Sequence, residues 1–566
     1  MIRQIASIVL TASLVLTSPA FAQWPDGGAL VCGSALNERG VRCLADGLGH
    51  LWVGWGENSP ADTTIGSLRV TRWNEAGQIV DGFEACGFPL GDTASRSSTD
   101  FALAGDSRGG VFVAWMEWRG QASRIMCQHL SAAGTPEAGW PAAGLELADS
   151  TVGPENPSAI ADGSGGVYVT WVETGDPPNS NTTRPLRGVR LSADGTLQTG
   201  WPVGGKSLLL HAALGWPVEA DGQGGLFVSG RRYGSGTYSG IYLIRLRSDG
   251  GTANGWSPIG NSVTDVGAAD WALISDGAGG AYVRWWDGTL HLQHMTGSGG
   301  PAPGWPLGGL IPAASVSDPG AMVLDAEGGV YLASMRFVTG ANDLFVMRIA
   351  ADAALAAGWP SGGFRVTFDG EFKQTPLMTT DGEGGVYLLW STANALMAQR
   401  RLPNGTYPLE WPPGGLRLAS GIDGLAFPRS APASAGRILA SWATSSASGD
   451  DRDSRILLVR GDGQMGATVD VGARPGARLA LSAAPNPSAG VTRFGFNLSV
   501  PSDLELSVFD LAGRLVWTRG ESAVVAGAVQ WTWSGLDARG VGLPRGLYFA
   551  RLRTNHGESR QTIVRL

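Results

Sequence analysis

Short runs in which apolar and polar residues alternate recur along most of the chain. The clearest copy is residues 162–171, with the sequence DGSGGVYVTW. Alternation with period two indicates a β-strand, and Asp and Gly suit the positive backbone φ of a tight turn. Each copy therefore predicts a turn followed by a strand.

The copies are regularly spaced. Seven are clear and an eighth is degenerate, and the position that ends the strand recurs every 49–60 residues at Trp55, Trp115, Trp171, Gly230, Trp285, Ser334, Trp390 and Trp442. Each unit also holds a strand ending in Arg-Leu or a variant and a Trp-Pro-x-Gly-Gly segment or variant, so it has room for four short strands. A β-helix would need a shorter repeat, and separate domains of this size would be too small to bury a core. We therefore predict an all-β fold containing an eight-bladed β-propeller.

The order of strand types predicts how such a ring closes. An outer-type strand at residues 28–32 comes before any inner strand, whereas the last unit has no Trp-Pro-x-Gly-Gly segment after its third strand. We expect residues 28–32 to complete the last blade beside residues 456–460, which would remove an open sheet edge. The alternative is a self-contained last blade that uses residues 467–471.

The repeat pattern stops near Arg474. The remaining residues carry their own alternation, as in residues 504–510 and 546–552, and short strands at this spacing predict a β-sandwich. The predicted domains are a signal peptide at 1–22, the propeller at 23–474 and the sandwich at 475–566.

Four motifs of the tail occur in a recognisable order. They are PNP at 485–487, FDLAGRLV at 509–516, WSGLDARG at 533–540 and GLYF at 546–549. This tail resembles the FlgD-type Ig-like domain and is similar to the C-terminal sorting domain of type IX secretion substrates. The resemblance implies an Ig-like sandwich at the end of an exported protein, with the secretion machinery as partner. The repeats resemble those of large secreted bacterial proteins that combine propeller arrays with such a tail.

The N-terminus predicts export. Residues 1–4 carry one positive charge, residues 5–17 are an apolar run, and Ala20-Phe21-Ala22 is a small-residue cleavage pattern. No later apolar run reaches about 18 residues, so we expect no transmembrane segment in the mature chain. The expected location is the cell surface or the medium.

Charge and cysteine content limit the partners and the disulfide bonds that we expect. The net charge is −8 and no cluster of Lys and Arg stands out, so we expect no nucleic-acid partner. The four cysteines are Cys32, Cys43, Cys86 and Cys127. An exported protein can form disulfides, and four cysteines allow three pairings, with free thiols as a further alternative.

No sequence motif predicts a catalytic residue, a cofactor or a metal. His-Glu-x-x-His, Gly-x-Ser-x-Gly, the P-loop and the dinucleotide fingerprint are all absent. Each Asp-Gly-x-Gly-Gly turn offers one carboxylate, whereas calcium takes six or more oxygens, so hairpin chemistry explains the turn better. We expect His291 and His294 to have structural roles.

The loops that follow the Trp-ended strands vary most and predict a binding face. Exposed aromatic and Arg residues are the usual anchors of binding patches, and aromatic rings also suit sugars. The alternative is that these residues pair on the surface or pack between blades. The candidate ligand-binding residues are Trp118, Arg119, Arg232, Tyr233, Trp286 and Asp287.

From the sequence we expect an exported, non-enzymatic protein whose propeller binds an extracellular glycan or protein. One alternative is a propeller hydrolase or lyase acting on extracellular polysaccharide, which would need a pair of carboxylates lining the central channel. Another alternative is a structural component of a surface layer.

Overall fold

A computed structural model gives the fold. It describes Trp24 and residues 28–32, 37–463 and 481–566, except 60–61, 92–95, 121, 150–152, 175–184, 210–216, 235–236, 269, 314, 339–340, 369–370, 372, 374–375, 421–425, 433–435, 446–451, 485, 487, 489, 499–501, 512, 525–526, 538 and 555–556. The chain divides into two compact units, Met1–Thr468 and Val469–Leu566. The predicted signal peptide and the predicted linker near Arg474 lie outside the described residues, and the predicted domain limits stay predictions.

The described residues form an all-β protein without a helix, as the alternation predicts. Accordingly, no described helix is long and apolar enough to cross a membrane. The chain enters the first unit with β1 (Ala29–Leu30). Sheet 1 then holds β2 (Asn37–Ala45), β3 (His50–Ser59), β4 (Asp62–Asn74) and β5 (Phe88–Leu90). Sheet 2 holds β6 (Arg96–Gly105), β7 (Val111–Arg119), β8 (Ala122–Leu130) and β9 (Leu145–Ala148).

Sheets 3 to 5 repeat this order. Sheet 3 holds β10 (Pro154–Ala161), β11 (Val167–Glu173), β12 (Leu186–Leu191) and β13 (Lys206–Leu209). Sheet 4 holds β14 (Val218–Ala220), β15 (Leu226–Gly234), β16 (Thr237–Leu246) and β17 (Asn261–Thr264). Sheet 5 holds β18 (Asp270–Ser275), β19 (Ala281–Trp286) and β20 (Leu290–Met295). Its outer strand is reduced to a bridge between Leu292 and Leu310.

Sheets 6 to 8 complete the first unit. Sheet 6 holds β21 (Val316–Asp318), β22 (Met322–Leu324), β23 (Val330–Val338), β24 (Ala341–Ile349) and β25 (Phe364–Arg365). Sheet 7 holds β26 (Leu377–Thr380), β27 (Val386–Ser391), β28 (Ala395–Arg401) and β29 (Leu416–Ser420). Sheet 8 holds β30 (Ala426–Pro432), β31 (Arg437–Ser445), β32 (Arg452–Arg460) and the returning β1.

The return of β1 confirms the predicted pairing of the two ends of the repeat region. Ala29 pairs with Ile456 and Leu30 with Arg455 in antiparallel register. The amide of Val31 extends the ladder by donating to the carbonyl of Ser454 over 2.9 Å. The edge of β32 is therefore covered by the beginning of the chain. The alternative strand at 467–471 lies outside the described residues.

One strand of each sheet contacts its equivalent in the next sheet. The series runs through β2, β6, β10, β14, β18, β22, β26 and β30 and returns to β2. Its member is the first strand of every sheet except sheet 6, where it is the second strand, β22. Apolar clusters lie between neighbouring sheets, and one of them joins residues of sheets 7, 8 and 1. The eight sheets thus form a closed cycle of contacts, and we call the strands of this series the inner strands.

The Asp-Gly-x-Gly-Gly turns are held by their own aspartates. Oδ1 of Asp162 accepts hydrogen bonds from the amides of Ser164 and Gly166, both over 2.8 Å. Its Oδ2 lies 2.8 Å from a guanidinium nitrogen of Arg190 on the third strand. Sheets 4, 6 and 7 repeat this pairing, and in sheets 2 and 5 a histidine replaces the arginine. The turn aspartates therefore have the structural role that hairpin chemistry predicts.

The tryptophans of the Trp-Pro segments connect one sheet to the next. The indole nitrogen of Trp140 in sheet 2 donates to the carbonyl of Ala193 in sheet 3 over 2.7 Å. The same contact runs from Trp201, Trp256, Trp305, Trp359 and Trp411 to the following sheets. Trp24, which precedes β1, donates to Glu75 of sheet 1 over 3.1 Å. The last sheet is therefore joined to the first by the contact that joins the others.

A disulfide lies at the same junction. Cys32 follows β1 and is bonded to Cys86 of sheet 1, whereas Cys43 and Cys127 are free thiols. Of the pairings that the sequence left open, the structure thus contains one bond, and it links the two ends of the sheet cycle. Burial raises the pKa of the Cys43 thiol to about 12, so it stays protonated at neutral pH.

The second unit has two sheets around one core. One sheet has the order β33 (Leu481–Ala484), β34 (Thr492–Leu498) and β37 (Gly527–Trp533). The other has the order β36 (Leu515–Val524), β35 (Ser502–Phe509), β38 (Gly546–Thr554) and β39 (Gly557–Arg565). Phe494, Trp531 and Trp533 of the first sheet share an apolar cluster with Leu506 and Leu552 of the second.

We predict that the Cys32–Cys86 bond stabilises the first unit as a single cross-link. Cys32→Ser and Cys86→Ser are each expected to lower the free energy of unfolding by about 2–4 kcal/mol, because either one removes the cross-link between residues 54 apart that restricts the unfolded chain. Urea unfolding of both variants and of the double variant checks this. The double variant should lose no more than either single one, and additive losses would show that the two thiols act separately.

Candidate functional site

One charged residue stands out among equivalent positions of the inner strands. Each second strand contains a Trp position, and the residue three places before it pairs with a residue of the inner strand. That inner-strand residue is uncharged in seven sheets and is Glu219 in sheet 4. Those seven uncharged residues are Leu44, Ala104, Ile160, Ile274, Val323, Thr379 and Ala431. An uncharged residue is therefore the rule at this position, and Glu219 is the exception.

Glu219 lies in a largely apolar environment. It is opposite Phe227 in the register of β14 and β15, so the two side chains share one face of the sheet. The side chain is half-buried, and burial raises the pKa of its carboxyl from an ordinary 4.5 to about 7. A carboxyl that still holds a proton near neutral pH is able to donate it.

An aromatic ring and an arginine lie on the same side of sheet 4. Ser229 and Arg231 follow Phe227 at alternate positions of β15 and share its face. The indole nitrogen of Trp271, on the inner strand of sheet 5, donates to Oγ of Ser229 over 3.1 Å. The guanidinium carbon of Arg231 lies 5.1 Å from the centre of the Trp271 ring, a cation–π distance. These contacts fix the orientation of a half-buried indole between sheets 4 and 5.

A second carboxylate lies next to Trp271 in the chain and points to the other side of sheet 5. Oδ1 of Asp270 is 3.3 Å from the guanidinium of Arg284, which is only 7% exposed. Burial lowers the pKa of Arg284, whereas the charges of Asp270 and Asp318 oppose that shift. About half of the Asp270 side chain remains exposed, so this carboxylate is paired and yet accessible.

Together these residues offer two carboxyl groups in different environments on neighbouring inner strands. Glu219 is half-buried beside apolar residues, and Asp270 is held by an arginine. Proteins use such differences in environment to keep one carboxyl protonated as an acid while another stays ionised. The indole of Trp271 adds a flat apolar surface of the kind on which sugar rings stack. We call Glu219, Ser229, Arg231 and Trp271 the sheet 4/5 site, whereas Asp270 lies on the other side of sheet 5.

Other buried carboxylates near the ends of second strands have structural partners. Glu57, Glu117 and Glu173 each lie two residues beyond a Trp position and are buried. Each of them pairs with an arginine of the third strand in its own sheet, and those arginines are Arg69, Arg124 and Arg187. Each of these glutamates therefore neutralises an arginine of its own sheet.

Two of the residues predicted to bind ligand end the second strand of sheet 2. Trp118 is opposite Ser123 and Arg119 is opposite Ala122 in the hairpin of β7 and β8. The Trp118 ring packs against the apolar cluster between sheets 2 and 3, and Arg119 is exposed. Trp118 thus makes the packing contact that was the alternative interpretation of this residue.

The other four predicted residues lie in the two sheets that carry the candidate site. Arg232 and Tyr233 pair with Ser239 and Tyr238 through the backbone, and their side chains lie outside the described part of the structure. Trp286 is half-buried, and the exposed Asp287 lies 3.3 Å from His291. These four residues follow Arg231 and Arg284 at the ends of β15 and β19, and their role in binding stays a prediction.

The histidines have structural partners, as the sequence predicts. His291 stacks on Trp285 with 4.9 Å between ring centres, and His294 stacks on Tyr282 with 4.0 Å. His294 also lies 3.0 Å from the turn aspartate Asp276. Among the described residues no group of three or more His, Cys, Asp or Glu side chains is placed to hold a metal.

Sequence reasoning missed Glu219 and Trp271. The signal was present, because the residue eleven positions before each Trp position is charged only in sheet 4, where it is Glu219. The spacing is constant because the bulges of the inner strands, as between Glu155 and Ser158, lie farther from the turn than this position.

Comparison with known proteins gives no family and several solved structures. No family model matches the chain, and no curated protein matches it. A prolyl endopeptidase is similar with a TM-score of 0.41 and 12% identity over 78% of this chain and 56% of that one. The chain thus spans about half the length of that enzyme. The ulvan lyase of family PL25 bound to a GlcA(1-4)Rha3S glycan is similar with a TM-score of 0.39 and 13% identity over 79% of this chain and 97% of that one.

Two further neighbours are PorZ and FlgD. PorZ, a surface component of the type IX secretion system of Porphyromonas gingivalis, is similar with a TM-score of 0.23 and 10% identity over 95% of this chain and all of that one. FlgD from P. aeruginosa is similar with a TM-score of 0.12 and 21% identity over 16% of this chain and 77% of that one. TM-scores this low carry no argument about individual residues.

The neighbours contradict the prediction of a non-enzymatic protein. Most of them are enzymes, namely prolyl endopeptidases, polysaccharide lyases and an acylaminoacyl peptidase from Pyrococcus horikoshii. They agree better with the alternative of a hydrolase or lyase, and the main prediction is corrected accordingly. Which residues would carry such an activity is argued from this chain alone.

We predict that the Glu219 carboxyl makes stability depend on pH. Its pKa is raised in the folded state, so folding is not penalised below about pH 4.5, and stability is lost as the pH rises through about 7. Glu219→Gln is therefore expected to gain about 1–3 kcal/mol relative to the parent protein between pH 4.5 and pH 8. Urea unfolding at both pH values measures this.

The exposed Glu84 provides a matched control for the same substitution. Glu84→Gln should show a pH dependence equal to that of the parent protein. The assignment of a raised pKa to Glu219 is contradicted if the two variants behave alike.

Proposed function

We propose that the chain is an exported enzyme that cleaves extracellular polysaccharide as a hydrolase or lyase. Its closed cycle of sheets would be an eight-bladed propeller, and the sheet 4/5 site would lie on the wall of the central channel. The observation that carries the proposal is Glu219, the carboxyl with a pKa near 7 at a position that is otherwise uncharged around the cycle.

Both cleavage reactions need a proton at the glycosidic oxygen as the bond to carbon breaks. In the proposal Glu219 donates that proton, because a carboxyl that is neutral at the working pH is the usual general acid for this step. In hydrolysis, water adds to the sugar carbon whose bond to that oxygen breaks, and the proton that water releases returns to the Glu219 carboxylate. In elimination, hydroxide or water takes the ring proton beside a uronate carboxylate, and a carbon–carbon double bond forms as the carbon–oxygen bond breaks.

Binding would come from the aromatic and cationic residues around this acid. The indole of Trp271, held by Ser229 and Arg231, provides a stacking surface for a sugar ring. Arg232, Tyr233, Trp286 and Asp287 would extend the site along the ends of the second strands, with Trp118 and Arg119 further round the cycle. The polysaccharide lyases among the solved neighbours agree with a glycan substrate, although the proposal is argued from the residues of this chain.

We predict that Glu219→Gln lowers the rate of polysaccharide cleavage about 100-fold or more, the usual loss when a general acid is removed. Trp271→Ala should mainly raise KM, because it removes a binding surface. Formation of reducing ends measures cleavage by either route, and ultraviolet absorbance of unsaturated sugar ends appears only for a lyase.

The exposed Glu84→Gln is the matched control and should cleave at the parent rate. Equal rates for Glu219→Gln and Glu84→Gln would remove Glu219 from the mechanism. If no polysaccharide of a broad panel, including uronate, sulfated and neutral chains, is cleaved by the parent protein, the proposed activity itself fails.

We further propose that the second unit is an Ig-like domain that directs the protein to the cell surface. Asn486 anchors the final strand in this unit: its side chain donates to the carbonyl of Thr562 over 2.7 Å and accepts from the amide of Val564 over 2.8 Å. Ser488 exchanges backbone hydrogen bonds with Val564 and Leu566. A signal at the chain end would thus be presented in a fixed conformation.

We predict that a chain ending at Arg474 stays in the periplasm of the native host while the full chain reaches the surface or the medium. Cell fractionation with antibody detection compares the two. If both forms are found in the same fraction, the second unit has no sorting role. Asn486→Ala in the full chain tests whether the fixed end is needed, with the exposed Arg539→Ala as control.

A further inference from the structure

The charge at the end of the second strand of sheet 6 is opposite to that in sheets 1 to 3. Two residues beyond the Trp position, sheets 1 to 3 have a glutamate that an arginine of the third strand neutralises. Sheet 6 has Arg336 at this position. The same position in sheet 4 is Arg232, one of the residues predicted to bind ligand. Arg336 therefore does not have the structural role that this position has in sheets 1 to 3.

Arg336 lacks the ion pair that would neutralise it within the scaffold. It is opposite Asp343 in the register of β23 and β24. The Asp343 carboxylate, however, is fully buried, pairs with the guanidinium of Arg365 and accepts from Oγ1 of Thr367 over 3.1 Å. In the part of the chain that the structure describes, the buried Nε and Nη2 of Arg336 have no hydrogen-bond partner. Burial lowers the pKa of Arg336, and no described carboxylate opposes that shift.

The guanidinium of Arg336 lies against an aromatic ring and beside open space. Its carbon lies 4.5 Å from the centre of the half-buried Phe345 ring. Phe345 is opposite Ser334, which takes the place of the buried tryptophan that six other sheets have. A Cβ atom at Gly362 would lie 3.1 Å from Nη1 of Arg336 and, apart from its chain neighbours, would meet no other described atom within 4 Å. The missing side chain of Gly362 thus leaves room for a ligand beside this nitrogen.

A second guanidinium and an exposed ring adjoin Arg336. Arg365 is opposite Phe345 in the register of β24 and β25, so it shares the face of sheet 6 that carries Arg336. Its guanidinium carbon lies 4.9 Å from the centre of the Phe368 ring, which is 60% exposed. Asp343 neutralises Arg365, so the group keeps one positive charge that no described residue balances. We call Arg336, Phe345, Arg365 and Phe368 the sheet 6 site.

The sheet 6 site faces sheet 5. Leu332, four residues before Arg336 and on the same face of β23, shares an apolar cluster with Tyr282 and Leu292 of sheet 5. The other face of sheet 5 meets sheet 4 at Trp271. The sheet 6 site and the sheet 4/5 site therefore lie on opposite sides of one sheet, an arrangement that suits a chain of sugars rather than one small molecule.

We propose that the sheet 6 site binds the acidic groups of a polysaccharide substrate, either uronate carboxylates or sulfate esters. This inference rests on the proposed function and names its substrate class. Guanidinium groups recognise both anions through charge-assisted hydrogen bonds, and Arg336 has donors that no described group of the protein uses. The exposed Phe368 ring provides a flat surface for the sugar that carries the anion. A bound anion would balance the charge that the scaffold leaves unpaired.

Binding is measured by calorimetry with three oligosaccharides of matched length: an oligogalacturonate, a sulfated dextran fragment and the unmodified dextran fragment. The parent protein should bind one or both anionic probes with an affinity that falls as salt is added. Arg336→Gln should weaken that binding about 10-fold or more, because it removes the charge that pairs with the anion. Phe368→Ala should weaken it about 3-fold or more, because it removes the stacking surface. The neutral fragment should bind the parent protein and Arg336→Gln alike.

Matched controls separate binding from folding. Arg417→Gln removes an exposed arginine of β29 and should bind the probes like the parent protein. Arg336→Lys keeps the charge and should retain more affinity than Arg336→Gln. Thermal unfolding of Arg336→Gln should occur at the parent temperature or above it, because no described carboxylate loses a partner. A lower unfolding temperature together with unchanged anion binding would show that Arg336 is a structural residue and would overturn the inference.

The outcomes distinguish this inference from the proposed activity. Parent-like binding of the anionic probes by Arg336→Gln would overturn the sheet 6 site while leaving cleavage by Glu219 intact. Loss of anion binding in Arg336→Gln, together with full cleavage by Glu219→Gln, would support the sheet 6 site and contradict the acid. Failure of the parent protein to bind either anionic probe would also overturn the inference. Binding of only the carboxylate or only the sulfate probe would support it and identify the anionic group.

Discussion

The fold of the first unit depends on the junction where β1 pairs with β32. Without that ladder sheet 8 would end in an open edge, and the cluster that joins sheets 7, 8 and 1 would lose part of its cover. The junction combines a backbone ladder, the Trp24 hydrogen bond and a disulfide. Each Trp–carbonyl bond contributes about 1 kcal/mol, so stability comes from many similar contacts that act together only when the cycle is closed.

Because the eight sheets are built alike, departures from the repeat are informative. A turn aspartate with its arginine or histidine occurs in most sheets, and it has a local structural explanation in each. Glu219 has no charged counterpart at equivalent positions. A charge that recurs belongs to the scaffold, whereas a charge that occurs once on an inner strand imposes a cost that the scaffold does not require.

The strands, their order and the pairing of β1 with β32 could be predicted from the sequence, because alternation and turn residues report directly on local structure. The strand predicted after the turn of the clearest copy is β11, and Ala29 and Leu30 of the predicted strand 28–32 pair with β32. The site was harder to predict. Loop variability pointed to Trp118, which packs against a core cluster, while Glu219 sits in a strand of three residues with no motif around it. Its significance comes only from comparison of the same position across the eight sheets.

A closed cycle also explains how such charges are tolerated. A half-buried carboxyl whose pKa is raised to about 7 costs up to about 3 kcal/mol of stability at pH 8. In a single small sheet such losses would approach the whole stability of the fold. Here the neighbouring inner strands present Ile274, Val323 and Ile160 at the position of Glu219, so the apolar packing of the other sheets offsets the loss. Because many similar contacts stabilise the fold, the protein can retain a residue such as Glu219 that lowers its stability.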